Sequence, residues 1–204
     1  KGAIFTNGTD EYLSFTPSST GNNKKFTIST WLKQVEIAPG GGNHPGLFGA
    51  YSDTNNRGQF YFDDGGYITF FNDTSGSRHT NISTASTYRQ ERDPTGWMHL
   101  FLKIDSTVAT PGPSNIYMAI NGETITPLAT ATYPSQNATY QWCTSGVKMT
   151  IGAGGIGGSY EMYGAYYLSE TILLDGYAGS PSDFGRYDSN EVWVPKDPTD
   201  IVTT

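Results

Sequence analysis

Trp97-Met-His-Leu-Phe-Leu-Lys-Ile-Asp105, a Ser/Thr/Pro/Gly loop, and Ile116-Tyr-Met-Ala-Ile-Asn-Gly122 alternate as two paired strands do. In the first segment Met98, Leu100, Leu102 and Ile104 share one face, and His99, Lys103 and Asp105 share the other, with Phe101 the apolar exception. In the second, Ile116, Met118 and Ile120 share a face, and Asn121-Gly122 offers two residues that tolerate positive φ. Alternation that ends on Asn-Gly is the strongest short-range signal of a hairpin. It predicts two central antiparallel strands turning tightly onto a third at 123–126.

The composition agrees with a β protein. Among 204 residues, aromatics make 14% and charged residues 15%, and Ser, Thr, Asn and Gly outweigh the helix formers. The length suits one domain over 1–204, because all-β sandwiches of this size bury a single core. Twelve basic against nineteen acidic residues give a formal charge of −7. That argues against a nucleic-acid partner, whose phosphates are neutralised by Lys and Arg, and against an anionic membrane. Cys143 is alone, so no intramolecular disulfide forms. There is no apolar run of eighteen residues and no charged-then-apolar leader, so neither a membrane insertion nor a signal peptide is expected.

Outward from the central pair, 3–5 and 11–15 flank Asn7-Gly8 as an opening hairpin, and Phe26 to Lys33 is a strand whose Trp31 face is covered as well. Leu47 to Ser52, Gln59 to Asp63 and Tyr67 to Asn72 form an antiparallel meander with turns at Asn55-Asn56 and Asp64-Gly65-Gly66. The polar stretch 73–95 reads as a long excursion with one short strand near 79–83, and 127–144 as a second excursion carrying Tyr133, Tyr140 and Trp142. Val147 to Gly152 is a strand. The apolar run 162–174 suits a strand buried on both sides. Ser180-Pro-Ser-Asp-Phe-Gly185 is one capped helical turn, and Val192 to Val194 closes a sheet.

Several chemical motifs fail on their context. Gly152-Ala-Gly-Gly-Ile-Gly157 matches the dinucleotide fingerprint, but β-type sequence follows where a helix is needed. Ser145-Gly-Val-Lys148 matches the acylating pair of penicillin-recognising enzymes without its partner motifs. No E-x-D-x-x-E places two acids on one strand, so glycoside hydrolysis is not expected and the chain is read as no enzyme. His44, His79 and His99 have no ligand spacing, and His99 reads as a structural hydrogen-bonder. The loops of Asp53, Asp63, Asp64, Asn72 and Asp73 are read as turns, with Ca²⁺ as the alternative and no other cofactor. What remains is a concentration of aromatic, amide and guanidinium groups, the material that packs against sugar rings and bonds to hydroxyls. The candidate ligand-binding residues are Asp53, Asn55, Arg57, Tyr61, Asn72, Arg78 and His79.

The order of pieces resembles the laminin-G-like, concanavalin A-like lectin/glucanase superfamily. The matching stretches are Phe26-Thr-Ile-Ser-Thr-Trp-Leu-Lys33, Leu47-Phe-Gly-Ala50, Gln59-Phe-Tyr-Phe62, Trp97 to Asp105, Ile116 to Gly122, Met149-Thr-Ile-Gly152 and the Gly-rich turn into 163–174. The end, Leu174-Asp-Gly-Tyr-Ala-Gly-Ser-Pro-Ser-Asp-Phe-Gly185 with Asn190-Glu-Val-Trp-Val-Pro-Lys196, resembles such domains in virion proteins of tailed, notably marine, bacteriophages. The resemblance implies an all-β jelly-roll sandwich of two antiparallel sheets. It also implies a non-catalytic module on the virion surface or outside the cell, binding host-surface carbohydrate and working as a homo-oligomer. The alternative it leaves open is a purely structural capsid or tail protein that contacts other virion proteins. The paired-acid strand of the glucanase branch is absent from this sequence.

Overall fold

The computed structural model of the chain describes residues 2–6, 11–35, 44–86, 95–155, 162–197 and 199–202. In chain order the strands begin with β1 (Gly2–Phe5), β2 (Leu13–Phe15), β3 (Lys25–Gln34), β4 (Gly46–Asp53), β5 (Asn56–Phe62), β6 (Ile68–Thr74) and β7 (Ser77–Thr84). They continue with β8 (Met98–Asp105), β9 (Tyr117–Ile120), β10 (Glu123–Thr124), β11 (Leu128–Thr132), β12 (Lys148–Ile151), β13 (Ala153–Gly154), β14 (Met162–Tyr163) and β15 (Tyr166–Asp175). The helical turn α1 (Pro181–Phe184), strands β16 (Gly185–Tyr187) and β17 (Trp193–Pro195), and the turn α2 (Thr199–Val202) complete the described elements.

Two antiparallel sheets face each other, ordered β1-β15-β3-β8-β9-β10 and β11-β7-β6-β5-β4-β12-β2. The central pair is where alternation puts it: β8 lies between β3 and β9, with Leu100 opposite Ile120 and Leu102 opposite Met118. Asn121 and Gly122 have φ of 48° and 87°, the doubly positive turn that carries β9 into β10. The even-numbered residues of β8 point inward and meet Phe60, Ile68, Phe70 and Ile82 of the opposing sheet. Burying those side chains, each worth about 1.5–3 kcal/mol when removed from water, holds the sheets together.

Tyr140 and Trp142 complete this core from one end. Their rings fold in between the sheets and contact both Phe26 of one sheet and Phe70 of the other. Gly58 makes the space, since a Cβ there would lie 2.4 Å from the Trp142 Nε1. Tyr140, Trp142 and Cys143 are therefore core, while β11, at the start of the 127–144 stretch, is a largely exposed edge strand on β7.

Four other expectations are corrected by pairing. The segments 3–5 and 11–15 do not form a hairpin: β1 joins β15 in one sheet and β2 joins β12 in the other, so each satisfies a different sheet edge. Asn7 and Gly8 lie outside the described residues. The short strand expected near 79–83 is there but longer, an eight-residue β7 over Ser77–Thr84 that follows directly on β6, because its inward residues Thr80, Ile82 and Thr84 are buried although only Ile82 is apolar. The apolar run 162–174 is broken between β14 and β15, and Tyr167 and Leu173 are exposed at 39% and 37%, so β15 is not covered on both faces. Finally, β17 pairs with β16 in a separate ribbon instead of closing a sheet.

That ribbon covers the outer face of the six-stranded sheet. Its Trp193 lies nearly parallel to His99 with ring centroids 6.0 Å apart, Trp31 stacks on the same imidazole at 5.3 Å, and Phe184 packs on Phe101. The Trp193 Nε1–H donates to His99 Nδ1 at 3.1 Å, so the proton of the neutral ring sits on Nε2, 2.8 Å from the Ser29 hydroxyl. His99 is a structural hydrogen-bonder, as the sequence suggests, and burial drives its pKa down to about 4. At α1 the Asp183 carboxylate accepts from the Ser180 N–H at 2.8 Å and closes the helical turn. No helix among the described residues is long and apolar enough to cross a membrane.

Candidate functional site

The outer face of the seven-stranded sheet is built by the meander β5–β6–β7. Parity sends Phe60, Phe62 and Phe70 into the core and turns Arg57, Tyr61, Phe71 and Asp73 outward. The register sets Arg57 opposite Asp73 and Asp73 opposite Arg78, so these three lie in one cross-strand row. The next row holds Gln59, Phe71 and Asn81, and the third Tyr61, Thr69 and Ser83.

Asp73 is the centre of the first row. It accepts from Arg78 Nε at 2.8 Å and Nη2 at 3.0 Å, a two-point fork, and from Arg57 Nε at 3.2 Å. Burial pushes its pKa up, but the two guanidiniums outweigh that and hold the carboxyl below its ordinary range. The same carboxylate keeps Arg78 firmly protonated. Beneath the row lies Phe71, with the Arg78 guanidinium carbon 3.7 Å from its ring centroid and that of Arg57 at 5.4 Å. Tyr61 stands edge-on to Phe71 at 6.0 Å and to His44 at 5.6 Å, and desolvation raises its phenol pKa.

Five buried side-chain atoms among the described residues lack a hydrogen-bond partner: Gln34 Oε1, His44 Nδ1, Gln59 Oε1, Asn81 Oδ1 and Trp142 Nε1. Such atoms are uncommon in folded proteins and each costs about 1–3 kcal/mol. Two of them, on Gln59 and Asn81, flank Phe71 in the middle row, and a third, on His44, borders Tyr61. The Gln59 amide is further roofed by β13, since a Cβ on Gly154 would lie 2.8 Å from its Oε1.

The remaining candidate residues take other places. Asp53 and Asn55 shape the β4–β5 turn at the rim: Asp53 accepts from the Asn55 N–H at 2.7 Å and from the Asn56 side chain, which lowers its pKa. Asn72 is fully buried on the inner side, where its Oδ1 accepts from Gln141 N–H and its Nδ2 reaches Thr74 and His79. His79 also faces inward, with Nε2 3.1 Å from the Thr139 carbonyl and its ring edge-on to Tyr140. A bulge causes this: Asn72 faces Thr80 while Asp73 faces Arg78, leaving His79 as the extra residue. Burial lowers the His79 pKa. So the structure brings Arg57, Tyr61 and Arg78 together outside, and Asn72 with His79 beneath them. Sequence reasoning missed Phe71 and read Asp73 only as a turn or Ca²⁺ residue, although both share strand parity with Thr69.

No group of three or more His, Cys, Asp or Glu among the described residues is arranged to hold a metal ion. The turn carboxylates are already engaged, with Asp63 accepting from the Gly65 and Tyr67 N–H groups and Asp73 held by guanidiniums. This set does not fit Ca²⁺, which needs six to eight convergent oxygens.

No protein-family model and no curated protein sequence matches this chain. Solved structures match it in fold. Mouse laminin α1 domains LG4-5 superpose with a TM-score of 0.60 at 12% identity, over 88% of this chain and 44% of that one. The enzymatically active domain of bacteriophage CBA120 tailspike protein 2 gives 0.57 at 10% identity, over 88% and 26%. Domain 4 of AbnA, an extracellular arabinanase of Geobacillus stearothermophilus in complex with arabinotriose, gives 0.51 at 14%, over 89% and 84%. The chain thus spans less than half of the laminin and tailspike structures. Its fold is the laminin-G-like, concanavalin A-like sandwich.

Proposed function

We propose that this chain is a non-catalytic carbohydrate-binding module, displayed on a virion or otherwise outside the cell, that attaches to glycans on a host surface. The observation that carries this reading is the outer face of β5–β7. Two guanidiniums are fixed side by side over Phe71 and keep part of their surface exposed. Sugar hydroxyls accept from such fixed donors, and Tyr61 adds an apolar edge for C–H patches. The likeness to an arabinanase domain bound to arabinotriose, to laminin LG4-5 and to a phage tailspike supports this reading.

Glycoside hydrolysis needs a second carboxyl within about 5–10 Å to act as acid or nucleophile. On this face Asp73 is held ionised by two guanidiniums and is a poor proton donor. A second reading, a structural virion protein joined to copies of itself or to other virion proteins, is favoured by a different place. Ile4, Leu13 and Phe15 on the sheet-edge strands β1 and β2 are exposed at 61%, 56% and 65%.

A panel of bacterial surface polysaccharides tests the first reading. Saturable binding to a subset is expected, and Arg57→Ala or Tyr61→Ala should weaken it about tenfold, the loss of a well-made contact, while the chain still folds with a melting temperature lowered by a few degrees. Absence of binding across the panel would transfer the case to the structural reading.

A further inference from the structure

We infer that the sugar recognised on this face bears a carboxylate, and that Arg57 and Arg78 receive it without a metal ion. The inference rests on the carbohydrate-binding reading and narrows it to acidic glycans.

The charge count of the row comes first. Two guanidiniums share one carboxylate, so a surplus positive charge is fixed at the surface of a chain whose formal charge is −7. Their side chains keep 23% and 40% of their surface exposed, against 9% for Asp73, so the anion is sheltered and the cations face outward. Asp63, at the other end of β5, has its Oδ1 turned to the backbone of the β5–β6 turn and does not neutralise the pair directly.

The unused donors come next. A guanidinium has five N–H bonds in a planar fork. Arg78 directs Nε and Nη2 at Asp73, and Arg57 directs Nε alone. The Nη1 groups of both residues and Nη2 of Arg57 make no hydrogen bond to the described residues. A planar two-oxygen anion matches such an edge with two parallel hydrogen bonds, which a single hydroxyl cannot make. The edge is also held in place: Asp73 fixes Arg78 from one side and the Phe71 ring from below, so little side-chain entropy is lost when an anion arrives.

Asp53, Asp63 and Asp73 are engaged with N–H groups, so on this face the anion meets nitrogen donors.

The test is calorimetric titration of the whole chain with uronic-acid-containing bacterial polysaccharides, their carboxyl-reduced derivatives, and a sulfated neutral glycan, each with EDTA and again with added Ca²⁺. Binding to the uronate polymer is expected. It should fall at least tenfold on carboxyl reduction, weaken with added salt, and fall similarly for Arg57→Gln, which leaves the Arg78–Asp73 fork intact. Equal binding of the carboxyl-reduced polymer would overturn this inference while leaving carbohydrate binding in place. Equal binding of the sulfated glycan, or a requirement for divalent metal, would overturn it too. If neither acidic nor neutral polymer binds, both readings fall together.

Discussion

Asp73 holds the candidate site in shape. Its two oxygens take three N–H donors from side chains on both neighbouring strands. An amide in its place has a single acceptor oxygen and no charge, so Asp73→Asn should release Arg57 and leave two partly buried guanidiniums facing each other. Losing hydrogen bonds to a charged group costs about 1.5–3 kcal/mol. For a domain of this length that is a fall of several degrees in melting temperature, readable by calorimetry. An unchanged melting temperature would mean that the carboxylate does not organise the row. The sequence displayed Arg57, Tyr61 and Arg78 as one crowd because consecutive strands of a meander must lie side by side. It did not display which face each residue takes. That is set by the bulge between Asn72 and Asp73, which turns both His79 and Thr80 inward to Tyr140, whose hydroxyl lies 2.9 Å from that of Thr80.

The β9–β10 turn shows a local signal surviving at the level of the element. Asn-Gly names a doubly positive turn, and the turn is there, but its second use is tertiary. The Asn121 Oδ1 accepts from the His99 backbone N–H at 2.8 Å, and a Cβ on Gly122 would lie 2.6 Å from the Trp193 ring. Gly122→Ala combines an unfavourable backbone region with a collision against Trp193. It should cost at least about 2 kcal/mol and lower the urea midpoint. A neutral outcome would mean that the ribbon is not seated on the turn. Elements fixed by distant partners were less legible. Leu13 to Phe15 and Ala3 to Phe5 have strand composition, yet nothing within them tells that one pairs with β12 and the other with β15. The polar strand β7 was legible only as a short strand near 79–83, since its inward Thr80 and Thr84 are buried without being apolar.

Across the whole molecule, acid sensitivity follows from the histidine between two tryptophans. The His99 pKa is about 4 folded, against an ordinary 6.5, so the unfolded chain binds more protons between those values. Its contribution to stability is complete above pH 6.5 and is lost as pH falls towards 4, amounting to about 3 kcal/mol. The lowered pKa of His79 acts in the same direction. Urea midpoints measured from pH 8 to pH 4 should fall steadily, and less steeply in His99→Gln. A flat profile would mean that the imidazole is not held neutral.

The pairing of β1 and β2 with the far end of the chain has a consequence in time. Gly2 sits opposite Ser169, and Leu13 opposite Ile151. A ribosome adding about 5–20 residues per second exposes the first strands for roughly ten seconds or more before their partners exist. The β2 edge cannot close until synthesis has passed Ile151, nor the β1 edge until it has passed Ser169. The apolar Leu13 and Phe15 then wait in solution beside an unpaired backbone, so assembly of this sandwich is governed by how long its beginning can go without its end.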